Sequence, residues 1–91
     1  MNKAQVLAIF AKSGNFLKPD DVGRELRPSP ERRSFYSYLG RLARQGLLER
    51  APNAQHRGRL AYRLTSRGQA RLRYLRDTLI SQISPLDRSG G

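Results

Sequence analysis

Apolar positions along the chain first recur with a helical period, then alternate, then turn helical again, and these changes of rhythm divide it into elements. Val6, Leu7 and Phe10 share one face of a first helix that Asn2 can cap, that runs to about Lys12 and that Ser13-Gly14-Asn15 ends. Phe16 and Leu17 form too short a run for an independent strand, and their side chains are expected to reach the core. Pro19 opens a short second helix with Asp20 and Asp21 in its first turn, Val22 and Leu26 facing inward and Arg27-Pro28 ending it.

The stretch that follows organises the rest. Ser29 is placed to cap a third helix over 30–45, with Pro30 at its first position and Gly46 as the left-handed residue that closes it. Phe35, Tyr38, Leu39 and Leu42 make one apolar stripe, which assigns Tyr38 to the core. The opposite side carries Arg33, Ser37, Arg41 and Arg44 and no acid. Between Leu26 and Ser29 there is room only for a tight turn, so the second and third helices form a helix-turn-helix.

After Gly46 the period becomes two. Leu47-Leu48-Glu49-Arg50 and Leu60-Ala61-Tyr62-Arg63-Leu64 read as strands, the second with Leu60, Tyr62 and Leu64 on one face. The loop 51–59 between them, rich in turn formers, closes a β-hairpin and carries His56, Arg57 and Arg59. Thr65 is placed to cap a last helix, 66–83, along which Leu72, Leu75, Leu79 and Ile83 form a stripe that a three-helix core does not readily cover. That stripe suggests a homodimer built on the last helix, the alternative being that the helix folds back over its own core. Pro85 ends the helix, and 85–91 reads as a flexible tail. The fold class is α+β, mostly α: one domain over 1–84, with a three-helix core, a two-stranded hairpin and a C-terminal helix.

Charge turns this architecture towards a partner. The 91 residues hold 18 Lys and Arg against 7 Asp and Glu, a formal net charge of +11. All but Lys3, Lys12 and Lys18 of those cations are arginine, whose planar fork bonds phosphate and guanine edges bidentately; a GC-rich genome also favours arginine codons, so the bias supports nucleic acid without deciding it. From Arg50 through Arg76 there are eight arginines and no acid. With no cysteine and a lone histidine, His56, zinc fingers, thiolate catalysis and histidine metal sites are excluded. There is no phosphate-cradling glycine loop and no nucleophile–base pair, so an enzyme is not expected, nor is a cofactor or metal. No apolar run is long enough for a bilayer and no signal-peptide pattern opens the chain, which points to a cytoplasmic protein.

Three stretches carry a family resemblance. Pro19-Asp20-Asp21-Val22-Gly23-Arg24-Glu25-Leu26 resembles the second helix of winged helix-turn-helix transcriptional regulators, the group that includes the MarR-like and PadR-like proteins. Residues 38–50, Tyr-Leu-Gly-Arg-Leu-Ala-Arg-Gln-Gly-Leu-Leu-Glu-Arg, are similar to that family's recognition helix running into its first wing strand. Tyr62-Arg63-Leu64-Thr65-Ser66-Arg67-Gly68 is similar to its second wing strand and the helix start that follows. The resemblance implies double-stranded DNA as partner, with the third helix in the major groove, the hairpin wing on the backbone or minor groove, and the last helix in dimerisation. DNA contacts are then expected from Arg32, Arg33, Ser34, Tyr36, Ser37 and Arg41, from Arg44 as a phosphate contact, and from His56, Arg57 and Arg59 in the wing. Arg63 and Arg67 are weaker candidates, and Arg71, Arg73 and Arg76 can simply keep the last helix soluble. Gly23 and Gly40 depart from the family pattern, each costing about 1 kcal/mol inside a helix unless close packing or a close approach to DNA requires it. An RNA-binding or ribosome-associated domain and a protein-interaction adaptor are the alternative functions.

Overall fold

The computed structural model describes residues 2–52 and 60–83, with side chains through residue 78. Helix α1 (Lys3–Ser13) starts at a reciprocal cap in which the Asn2 side chain accepts from the Gln5 backbone N–H and the Gln5 side chain accepts from the Asn2 backbone. It ends at Gly14, whose φ of 71° closes the last turn. Helix α2 (Pro19–Glu25) begins with its proline at the first position, and the Arg27–Pro28 peptide beyond it is cis. Helix α3 (Arg32–Arg44) is followed by strands β1 (Leu48–Pro52) and β2 (Leu60–Leu64) and by helix α4 (Ser66–Ile83).

Val6, Leu7, Phe10, Val22, Leu39, Leu42 and Leu72 are the most completely buried large side chains, so the core lies where α1, α2, α3 and α4 converge. The two strands are antiparallel, with Leu48 opposite Leu64 and Arg50 opposite Tyr62. Leu17 joins the outer edge of β2 through a reciprocal pair of backbone hydrogen bonds with Tyr62, at 2.7 and 2.9 Å, and so ties the α1–α2 link to the hairpin.

Several expectations are corrected. The cap of α3 is Glu31 rather than Ser29: its carboxylate accepts from the Arg33 N–H, and the helix accordingly starts at Arg32. Ser29 instead bonds back to the Leu26 carbonyl within the turn. Ala51 and Pro52, expected in the loop, extend β1 opposite Ala61 and Leu60; a proline is tolerated there because it sits at the strand's end on an edge. Of the linking pair only Leu17 packs on the core, while Phe16 is exposed and carries the Arg63 guanidinium over its ring at 4.5 Å. Leu72, expected at a dimer surface, is 1% exposed and belongs to this chain's own core; Leu75 is half-buried at the edge of that core. The side chains of Leu79 and Ile83, the wing residues His56, Arg57 and Arg59, and the tail 85–91 lie outside the described residues.

One junction sets the angle between α3 and α4. Thr65 Oγ1 accepts from the Gly68 N–H at 2.9 Å, capping α4. The same hydroxyl lies 2.6 Å from the Gly46 carbonyl and 3.0 Å from that of Leu47, to one of which it donates. Gly46, at φ 81°, turns the chain out of α3, and the Leu47 carbonyl also accepts from the Thr65 N–H. The end of α3 is therefore bonded to the beginning of α4 through one threonine.

Candidate nucleic-acid interface

Burial of Phe35, Leu39 and Leu42 fixes the rotation of α3 and turns Arg33, Ser37, Arg41 and Arg44 outward, where all four are exposed. No described segment covers this face. Among the described residues, Arg33, Arg41 and Arg44 form no ion pair. Tyr38 is half-buried at the edge of the stripe, and burial pushes its phenol pKa up against the opposing pull of the Arg41 guanidinium.

The first turn of α3 is arranged differently. Arg32 pairs with Asp20 of α2 at 2.9 Å, and the Tyr36 hydroxyl donates to the other Asp20 oxygen, also at 2.9 Å. Arg32 Nε lies 3.4 Å from the Tyr36 oxygen, and its guanidinium sits over that ring, 5.6 Å from the centroid. The Tyr36 hydroxyl first, and then the Asp20 carboxylate, hold the Arg32 pKa above its ordinary value. Ser34 donates to Glu31, which keeps that carboxylate below the usual range and at the positive end of the helix. Arg32, Ser34 and Tyr36 therefore stand at the helix tip in fixed orientations, with Asp20 as the organiser that binds α2 to α3.

The other acids of the first 52 residues are held in ion pairs with cations outside α3. Asp21 pairs with Arg24 and lies 3.9 Å from Lys18, Glu25 pairs with Lys12 at 3.1 Å, and Glu49 pairs with Arg63 across the hairpin at 2.6 Å. Arg63 is thus occupied by Glu49 and Phe16. Among the described residues, the cations left without a carboxylate include Arg33, Arg41 and Arg44 of α3 and Arg50 of β1.

Two groupings of cations were not expected from the sequence, which names Arg67 only as a weaker candidate and leaves Arg71 to solubility. Arg50, on β1, lines an open cleft with Arg44, Ala43, Leu48 and Glu49, the last of these paired with Arg63, so two guanidinium groups, one of α3 and one of the hairpin, meet there. Lys3, Arg67 and Arg71 line another with Gln45 and Leu47, and a Cβ at Gly46 would stand 3.4 Å from Arg67, which places that cation beside the C-terminal end of α3. The alternation along β1 could have found Arg50; Lys3 and Arg67 are too far apart in sequence for any local pattern to join them.

This arrangement of helices and hairpin has solved counterparts. MarR of E. coli, as a mutant complexed with operator DNA, superposes with a TM-score of 0.72 at 20% identity over 88% of this chain and 55% of that one. The PcaV transcriptional regulator of Streptomyces coelicolor, in complex with its natural ligand, gives 0.70 at 26% identity over 89% of this chain and 57% of that one. The chain has the MarR-type winged-helix fold. FabT of Streptococcus pneumoniae in complex with DNA gives 0.68 at 20% identity, over 94% of this winged helix and 58% of that chain. The winged helix described here thus spans a little over half the length of these neighbours. No family profile and no curated protein matches the sequence. In position, α3 corresponds to the third helix of the winged-helix fold and β1 and β2 to its wing strands. Among the described residues no helix is long and apolar enough to cross a membrane.

Proposed function

We propose that this chain is a sequence-specific double-stranded DNA-binding protein, a small transcriptional regulator that lays α3 in the major groove and its wing, including His56, Arg57 and Arg59, on the backbone or minor groove. The observation that carries this reading is the outer face of α3. Among the described residues Arg33, Arg41 and Arg44 stand exposed and without carboxylate partners, while the acids of the first 52 residues are held in ion pairs or at a helix cap. A solvated face of the ordinary kind mixes signs; the charges on this one are all guanidinium groups, in the fork geometry that phosphate and guanine edges accept. Two of the solved neighbours are described as complexed with DNA, which agrees with it.

Arg32, Ser34 and Tyr36 approach the duplex from the helix tip, pre-oriented by Asp20 and Glu31. Ser37 and Arg41 address the groove, and Arg44 with Arg50 holds the flanking phosphates. Such a regulator works on the nucleoid, in the cytoplasm.

Selection of bound duplexes from a random pool, with structured RNA as competitor, tests the reading directly. Recovery of a common duplex motif is expected; equal or better binding to the RNA would favour the ribosome-associated alternative, and retention of no nucleic acid at low salt the adaptor. On the recovered duplex, Arg41→Ala is expected to cost about 1–3 kcal/mol relative to random DNA, whereas Arg57→Ala should weaken all sequences about equally. Equal losses on target and random DNA would remove Arg41 as a base reader.

A homodimer through α4 belongs to the same proposal, now without Leu72. Tyr74 is 62% exposed beside the half-buried Leu75, which leaves an apolar flank on α4 for a second copy. Sedimentation at concentrations on the order of tens of micromolar is expected to show the dimer, and a strictly monomeric protein removes it.

A further inference from the structure

Three glycines lie inside helices, and their surroundings differ. At Gly68 a Cβ would collide with the Leu47 carbonyl oxygen, and at Gly23 it would meet the Phe35 ring at 3.7 Å. At Gly40 it would meet nothing within 4 Å. Gly40 has a helical conformation with no positive φ, so neither packing nor backbone geometry calls for glycine there. Glycine is nevertheless among the poorest residues for a helix interior, and an alanine would fit α3 better.

Position 40 lies three residues from Ser37, four from Arg44 and seven from Arg33, which places it among the outward side chains of α3. The missing side chain leaves a notch in a face lined by exposed guanidinium groups. We infer that Gly40 is the point where a sugar–phosphate strand of the duplex passes against the backbone of α3, and that the helix carries a weak residue there to admit it. This rests on the reading of α3 as a DNA-binding helix and adds its depth of seating. The N-terminal turn addresses base edges, and Gly40, two turns further along, meets the strand that borders the groove, with Arg33 and Arg44 on either side of the crossing.

Gly40→Ala and Gly40→Leu test it, read by thermal unfolding and by affinity for the duplex recovered from the random pool. Both variants should unfold at higher temperature than the parent, by about 3–6 °C for alanine. Both should also bind more weakly, about tenfold for alanine and about a hundredfold for leucine, the loss growing with side-chain size. A raised unfolding temperature with affinity unchanged would overturn the inference, and so would a lowered unfolding temperature, since the glycine would then serve the fold. If Arg41→Ala still loses affinity in the same assay, the DNA-binding reading survives that failure; if the parent protein retains no duplex at low salt, both fall.

Discussion

Gly68→Ala is expected to lower the unfolding temperature by about 15 °C. A Cβ at that position would collide with the Leu47 carbonyl oxygen and stand 3.1 Å from its carbon and 2.7 Å from Leu64 Cδ1. Carbon and oxygen normally approach no closer than about 3.3 Å, so something must move by about 1 Å. Leu64 can rotate its methyl group aside. The Leu47 carbonyl cannot move freely, because it accepts from the Thr65 N–H at 3.1 Å and lies 3.0 Å from the Thr65 hydroxyl that caps α4. Relief therefore opens the junction between α3 and α4, breaking a cap and a backbone hydrogen bond together. Alanine's better helix propensity returns about 1 kcal/mol, against an overpacking and unbonding cost of about 4, which leaves a net loss of about 3 kcal/mol. Thermal unfolding followed by circular dichroism checks this, and an unfolding temperature equal to or above the parent's would show that the close approach at Gly68 does not exist.

The elements themselves were legible because each is announced by a short-range pattern. The rhythm of Val6, Leu7 and Phe10, the stripe of Phe35, Leu39 and Leu42 and the alternation of Tyr62 and Leu64 place their residues in the core or at its edge, whereas Leu60, read onto the same face as Tyr62, is exposed at the start of β2. The caps at Asn2 and Thr65 are equally local, and both form. At the start of α3 two adjacent capping signals compete, and the second prevails. Ser29-Pro30 is a good helix opening in isolation, but Glu31 presents its carboxylate to the Arg33 N–H and Ser29 is drawn to the Leu26 carbonyl by the turn. Leu72 was misplaced for a related reason. Its spacing from Leu75 and Leu79 joins it to one stripe, yet the periodicity of a helix does not say whether a neighbouring helix or a second chain covers each turn, and here α1 packs against α4.

The candidate site was legible as a face and not as a network. That Arg33, Ser37, Arg41 and Arg44 point one way follows from helical geometry alone. That Arg32 and Tyr36 converge on Asp20 does not, because Asp20 is 12 residues from one and 16 from the other and the contact exists only once α2 crosses α3. The consequence alters the roles of these residues. Arg32 was expected to contact DNA, and its ion pair with Asp20 also makes it part of a rigid corner that orients the helix tip, so its removal should disturb Tyr36 as well.

Duplex affinity is expected to fall about a thousandfold between 50 and 200 mM monovalent salt, the largest response of the protein to its medium. The size follows from which cations are available. Lys12, Lys18, Arg24, Arg32 and Arg63 each have a carboxylate within 4.0 Å, so a phosphate that approached them would have to compete with it. Arg33, Arg41, Arg44 and Arg50 have none among the described residues, and Arg57 and Arg59 belong to the wing. Six such contacts release about six condensed counterions and give a log–log slope near −5. The division between the two sets can be checked residue by residue. Arg44→Ala should lower the steepness of the slope by about 1, while Lys12→Ala, which removes a cation already paired with Glu25 at 3.1 Å, should leave it unchanged. Participation of Arg67, Arg71, Arg73 and Arg76 would steepen the parent's slope towards about −9 and extend the footprint of the duplex from α3 and the wing onto α4. A response below tenfold over the same interval would mean that the exposed guanidinium groups do not meet phosphates at all, and the outer face of α3 would then have to be explained as a surface for some other partner.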